Sequence, residues 1–188
     1  MKRVIIQAKT YIIGYHTQEF RYHKVLETPI ECRAKDAWLG KGYYFWVEEN
    51  FAHNWGQDFK NRKSGFYDVY QGNLDTEKCI NATFDEKGYY FFKNSIESAI
   101  KYFENNGVLV TLEQVNRFLA DYWKKLGVTG IIYDDLPRNR DDKNRFFSNL
   151  EYIENHKKQF FYYHKRIQIV IFDLKNIHNF ELHLKKQN

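Results

Sequence analysis

Leu39-Gly40-Lys41-Gly42-Tyr43-Tyr44-Phe45-Trp46 is the stretch around which the chain reads. Two glycines bracket one lysine, and four aromatic residues follow without a break. Glycines at that spacing let a backbone turn sharply or come close to a ligand. The aromatic run has strand propensity, and alternation sends Tyr44 to one face and Tyr43 and Phe45 to the other. Two readings stand side by side: a glycine-opened hairpin strand that packs its rings into a core, or a strand that lays a ring against a flat ligand.

The elements around this stretch give a mixed pattern. Residues 3 to 15 alternate weakly and read as one or two early strands ending at Gly14-Tyr15-His16-Thr17. Glu48 to Trp55 reads as a short helix, with Phe51, Ala52 and Trp55 on one face and Gly56 as its stop. Phe66 to Tyr70 alternates as a strand, and Leu74 to Thr83 reads as its continuation or hairpin partner. Asn94 to Asn106 predicts a helix opened by an Asn94–Glu97 capping box and closed by Gly107. Thr111 to Leu126 predicts a second, with Thr111 and Gln114 as its capping pair and Gly127 at its end. Gly130 to Asp134 is a short buried strand, Ile167 to Asp173 the strongest strand pattern, and His178 to Leu184 a final edge strand. The sum is an α+β fold, strands in two groups with helices between them.

Composition sets the frame. A chain of 188 residues, 43% hydrophobic and 28% charged, is expected to form a single domain over 1–188 with a core of its own. Aromatic residues reach 19% against only two prolines, which points to bulky rings at a surface or cleft. The formal net charge of +5 permits attraction to a dinucleotide or a nucleic acid without requiring it. Two distant cysteines, Cys32 and Cys79, make neither a disulfide framework nor a zinc site, and the seven histidines are scattered, so no metal is expected. A reducing cytoplasm is the expected compartment. The apolar residues near the N-terminus are interrupted by Gln7 and Lys9, and no run is long enough to span a bilayer.

Gly40-Lys41-Gly42-Tyr43-Tyr44-Phe45 resembles the G-x-G-[IFY]-Y-F segment of ADP-ribosyltransferases of the diphtheria-toxin and poly(ADP-ribose) polymerase type. Gly127-Val128-Thr129-Gly130-Ile131-Ile132-Tyr133 is similar to a strand of their bacterial toxin-like members. That family carries a His-Tyr-Glu set on three separate strands, and the resemblance picks out His16, Tyr44 and Gln168 as the catalytic positions. It implies a split β-sheet core with flanking helices, and NAD as substrate. His16 would hold the adenosine ribose, Thr17 the carboxamide and Tyr44 the nicotinamide ring, with Gly42 and Tyr43 beside them. The chain departs from the family twice. Tyr15-His16-Thr17 lacks the glycine of the usual H-G-[ST], and Gln168 stands where the catalytic Glu precedes a run like Y-I-V-Y-D. A neutral Gln can hold a ribose hydroxyl but brings no negative charge to an oxocarbenium ion, which disfavours chain building and leaves mono-transfer. Glu151 and Glu154, in the preceding insertion, could supply a carboxylate from outside the strand.

In such a fold the segment before the last catalytic strand faces the acceptor. Here residues 135–166 form a basic aromatic insertion carrying Arg138, Arg140, Arg145, Lys157 and Lys158, interleaved with Phe146, Phe147, Phe160, Phe161, Tyr162 and Tyr163. Basic groups neutralise phosphates and rings stack on bases, so a nucleic-acid acceptor (RNA or DNA) is expected alongside a protein acceptor; a solvated basic loop is the alternative. By analogy with the family, the chain is expected to be an intracellular bacterial toxin or phage-defence effector with a cognate antitoxin protein as partner. Three other readings use the same residues: an NAD glycohydrolase with water as acceptor, an inactive module that binds without chemistry, and a basic nucleic-acid-binding domain without a nucleotide cleft.

Overall fold

The computed structural model describes residues 1–6, 9–22, 24–35, 37–62, 64–135, 149–154, 157–162 and 165–188, with the backbone alone for 149–154 and 157–162. The fold is mixed α+β. Among the described residues ten strands run in chain order as β1 (Arg3–Ile6), β2 (Lys9–Glu19), β3 (Tyr43–Trp46), β4 (Tyr67–Leu74), β5 (Cys79–Asn81), β6 (Gly130–Asp134), β7 (Asn149–Glu154), β8 (Lys157–Tyr162), β9 (Ile167–Ile171) and β10 (Ile177–Gln187). The helices are α1 (Glu49–Trp55), α2 (Glu86–Asn105) and α3 (Leu112–Lys125).

Eight strands make one sheet, ordered β10-β4-β2-β3-β9-β6-β5, with β1 also paired to β2. Every pairing is antiparallel except β5 with β6. The pairing is uneven. β2 and β4 share eight opposed residues, and β3 and β9 share four, but β2 and β3 meet at a single pair, Tyr15 opposite Trp46. The sheet is therefore two half-sheets, β10-β4-β2 and β3-β9-β6-β5, joined at one point.

Three cores pack against the sheet, and two of them span the join. On one face α2 and α3 cover the second half through Phe92, Ala99, Val115, Leu119 and Trp123, which pack on Ile80, Ile131 and Val170. On that same face α1 covers the join: Phe51 and Ala52 pack with Tyr15, Trp46, Tyr67 and Val69. Among the described residues no helix covers the opposite face. Its core joins Ile12 and Leu74 of the first half to Phe45, Ile132, Ile167, Ile169 and Ile171 of the second. Phe45 reaches across the join because Gly14 and Gly72 leave room: a Cβ on Gly14 would stand 2.9 Å from the Phe45 Cβ.

Several expectations hold in detail. Thr111 and Gln114 form a reciprocal capping box on α3, and Gly127 follows it at φ +72°. Gly107 closes α2 at φ +66°, and β10 lies at one edge of the sheet. Others are corrected. Gly56 is no stop; it is helical at φ −59°, and α1 continues in a wider π-helical turn through Gly56–Lys60. A side chain at Gly56 would run into the Tyr67 ring, so packing accounts for this glycine. The α2 helix begins at Glu86, capped by Asp85, whose side chain accepts from the Gly88 N–H; Asn94 is interior. The first turn presses Gly88 against the Asn81 carbonyl, a tertiary contact that periodicity does not register. Residues Leu74 to Thr83 form no hairpin with β4: a turn at Asp75–Cys79 leads into β5, which runs parallel to β6 after the α2–α3 crossover. The strand β8 carries Lys157 and Lys158, whose side chains, like all of Arg138, Arg140 and Arg145, lie outside the described residues.

Candidate active site at the join of the half-sheets

The three positions singled out in the sequence fall on three neighbouring strands: His16 on β2, Tyr44 on β3 and Gln168 on β9. The glycine stretch explains how β3 gets there. Gly40 sits at φ +83°, a left-handed conformation that favours glycine, and Gly42 is paired to Cys32 by two backbone hydrogen bonds of 2.8 and 3.2 Å. A Cβ on Gly42 would stand 2.6 Å from Val170 Cγ2 and 2.8 Å from the Ile171 carbonyl oxygen, so β3 lies tight against β9 only because this residue has none. Gly42→Ala is expected to cost about 2 kcal/mol in urea unfolding. Unchanged stability would remove packing as the reason for the second glycine.

Tyr44 is anchored rather than free. Its hydroxyl donates to the Gly40 carbonyl at 2.7 Å and accepts from the Leu39 N–H at 3.1 Å, which closes the turn beneath its own ring. Burial raises the phenol pKa well above its ordinary value, so the hydroxyl stays protonated. The ring packs at the margin of the α2–α3 core, while Tyr43 and Phe45 turn to the other face, as the alternation predicts.

His16 is 6% exposed. Its Nδ1 lies 2.9 Å from the Tyr44 carbonyl oxygen, which can only accept, so Nδ1 carries the proton. This bond ties β2 to β3 beside their single residue pair. The ring sits between Phe45 and Phe180, with centroids 5.5 and 6.0 Å away, and Nε2 has no hydrogen-bond partner among the described residues. Burial lowers the His16 pKa to about 4, against the opposing effect of the Tyr44 bond and with help from the Lys60 charge. At neutral pH the ring is therefore neutral. Thr17 is committed to α1: its hydroxyl donates to the Ala52 carbonyl at 2.7 Å.

Gln168 is also 6% exposed. It stands opposite Trp46 on β3 and Tyr133 on β6, and its Oε1 accepts from the Trp38 indole N–H at 2.9 Å. Trp38 was not among the sequence candidates; its only signal is an indole immediately before the glycine turn. Arg166, two residues upstream, lies over the Trp46 ring at 5.1 Å and pairs with Asp135 at 2.7 Å. Two cavities flank this cluster. Trp38 lines one of about 210 Å³, and Tyr133 lines one of about 490 Å³; His16, Tyr44 and Gln168 line neither.

The register settles which side chains share a face. Tyr15 opposes Trp46, and Trp46 opposes Gln168, so Tyr15, Trp46 and Gln168 point the same way. The Tyr44 ring is on that side also, two residues along β3. His16 points to the other side and reaches β3 through a backbone carbonyl. The structure thus brings Tyr44 and Gln168 to one face and links His16 to them through the strand between.

Among the described residues no group of three or more His, Cys, Asp or Glu side chains is placed to hold a metal ion, and no helix is long and apolar enough to cross a membrane. No family model matches the chain, and neither a curated protein nor a solved structure matches it.

Proposed function

We propose that this chain is an NAD-dependent mono-ADP-ribosyltransferase with an ADP-ribosyltransferase-like split sheet, acting on a nucleic acid or a protein. The observation that carries the reading is topological. Positions 16, 44 and 168 are far apart in sequence, were singled out by resemblance alone, and lie on three consecutive strands at the point where the two half-sheets join. Their separate signals are weak; their convergence on one join is the argument.

In this reading NAD lies at the join with its nicotinamide ring near Tyr44 and its ribose near Gln168. The glycosidic bond breaks through an oxocarbenium-like state, nicotinamide leaves as a neutral molecule, and an acceptor nucleophile attacks the ribosyl carbon and gives its proton to water. The protein contributes position and polarity. Gln168 offers an amide to a ribose hydroxyl once Trp38 releases its Oε1. His16 acts as a positioning residue by holding the Tyr44 carbonyl and so the angle of β3. The basic insertion is the proposed acceptor surface, a neutralising protein the proposed partner, and the cytoplasm the proposed compartment.

A second reading, an inactive NAD-binding module, draws on one observation: Gln168 is neutral, buried and already bonded to Trp38. One experiment separates the readings. The protein is incubated with labelled NAD and, in turn, RNA, single-stranded DNA and a cell extract, beside Tyr44→Ala and Gln168→Ala. Label on one acceptor class, reduced on the order of 100-fold in both variants, is the expected result. Free ADP-ribose without labelled acceptor would identify a glycohydrolase. Binding without turnover would identify the inactive module, and no effect on NAD at all would overturn the proposal.

A further inference from the structure

The cavity of about 490 Å³ where β6 ends beside the start of α2 combines aromatic walls with acidic ones. Its place is set by the parallel pairing of β5 with β6, which carries Tyr133 and Asp134 alongside the turn from Ala82 to Asp85. That turn is tied down: the Ala82 N–H donates to the Ile132 carbonyl at 3.0 Å, and the Asn81 side chain accepts from the Phe84 N–H at 2.9 Å. Glu86, Tyr89 and Tyr90 stand three and four positions apart on α2 and so share one face. With Phe84 and Tyr133 they line the cavity. Phe84, Tyr89 and Tyr90 are 55%, 44% and 51% exposed, so their rings are reachable from solvent. Among the described residues three carboxylates, Asp85, Glu86 and Asp134, line the cavity against a single ammonium, Lys165. Lys165 marks where a cation sits: its Nζ lies 6.0 Å over the Phe84 ring and 3.8 Å from Asp134 Oδ2. Its side chain is 54% exposed, so this pair contributes little and yields readily to a competitor.

We propose that this cavity docks an arginine side chain of a partner protein. Charge complementarity selects the class. A nucleic-acid strand would bring phosphates against three carboxylates. A neutral ring would stack on the aromatic walls and leave the carboxylates unanswered. A guanidinium answers both, because it is planar and weakly hydrated, stacks on aromatic faces and donates in pairs to a carboxylate. A lysine ammonium is a compact, strongly hydrated point charge and matches the rings less well. Nothing in this docking requires NAD. The cavity meets the candidate active site through Tyr133, which stands opposite Gln168 and edge-on to the Trp38 ring at 5.3 Å, so the partner docks beside that site.

The test titrates two capped peptides into the full chain, acetyl-Gly-Arg-Gly-amide and its citrulline analogue, in which a neutral urea replaces the guanidinium. Backbone amide signals are followed by NMR. The arginine peptide is expected to shift Phe84, Tyr89, Tyr90 and Asp134 saturably and to bind about tenfold more tightly than the citrulline peptide. Tyr90→Ala and Glu86→Gln should each weaken it about threefold. Lys165→Met, which removes the resident cation, should tighten it about threefold, whereas a phosphate-bearing occupant would be weakened by the same change. All three variants alter exposed side chains, so folding is not in question. Equal affinity for the two peptides, no saturable shift at these residues, or weaker arginine binding in Lys165→Met would overturn the proposal. Shifts at the same residues from a single-stranded RNA hexanucleotide and not from the arginine peptide would overturn it in favour of a nucleic acid.

Discussion

Phe45→Ala is expected to lower the unfolding free energy by about 4 kcal/mol, the largest effect of any single side chain near the join. Phe45 is fully buried on β3, on the face that no helix of the described residues covers. Its ring lies beside Phe180 and His16 and within reach of Gly14 and Gly72 of the other half-sheet. Only one residue pair joins β2 to β3, so backbone hydrogen bonding does little to hold the halves together, and this packing carries the join together with the core under α1 on the other face. Truncation removes the ring's transfer free energy and leaves a cavity lined by Leu74, Ile169 and Ile171, which rigid strands cannot collapse. Urea unfolding monitored by circular dichroism measures it. A loss under about 1 kcal/mol would show that the halves are held by something other than this core.

The second large effect is one of pH. His16 titrates near 6.5 in the unfolded chain and at about 4 in the folded one. Above pH 6.5 neither state is protonated at this residue, and its contribution to stability is fully retained. As pH falls from 6.5 toward 4 the unfolded chain takes up a proton that the folded chain refuses, so stability is lost through that window, by roughly 3 kcal/mol at most. His16→Asn is the informative variant. An asparagine amide can replace Nδ1 as donor to the Tyr44 carbonyl and does not titrate. The decline in unfolding free energy between pH 7 and pH 4 should be shallower in the variant by about that amount. An identical slope would mean that the imidazole is protonated in the folded protein.

Much of the local structure is legible in the residues. The capping box at Thr111, the apolar runs of β6 and β9 and the alternation through Tyr43, Tyr44 and Phe45 are short-range signals, and each element stands where its signal points. The misreadings share one cause. Gly56 reads as a helix stop and Asn94 as a helix start, yet Gly56 and Gly88 both lie inside helices, where the Tyr67 ring and the Asn81 carbonyl leave no room for a side chain. Cys79–Asn81 is too short to reveal that its partner lies beyond two helices.

The candidate site divides in the same way. That His16, Tyr44 and Gln168 sit on strands follows from local pattern. That those strands are neighbours depends on long-range pairing that no periodicity encodes. Which face each side chain takes depends on a single register, Tyr15 opposite Trp46, and one residue of slippage would reverse it. Trp38 carries no local mark of its bond to Gln168, because that contact spans 130 positions of sequence.

The central claim is that the join of the half-sheets is an NAD site. The most direct measurement is a titration of NAD into the labelled protein, followed residue by residue through backbone amide signals. The expected result is a saturable set of shifts centred on His16 and Thr17, Gly42 to Tyr44, and Gln168, together with the Trp38 indole as it releases Gln168. Shifts confined to other surfaces, or none at millimolar NAD, would contradict the claim and leave the convergence of the three strands as a feature of the fold alone.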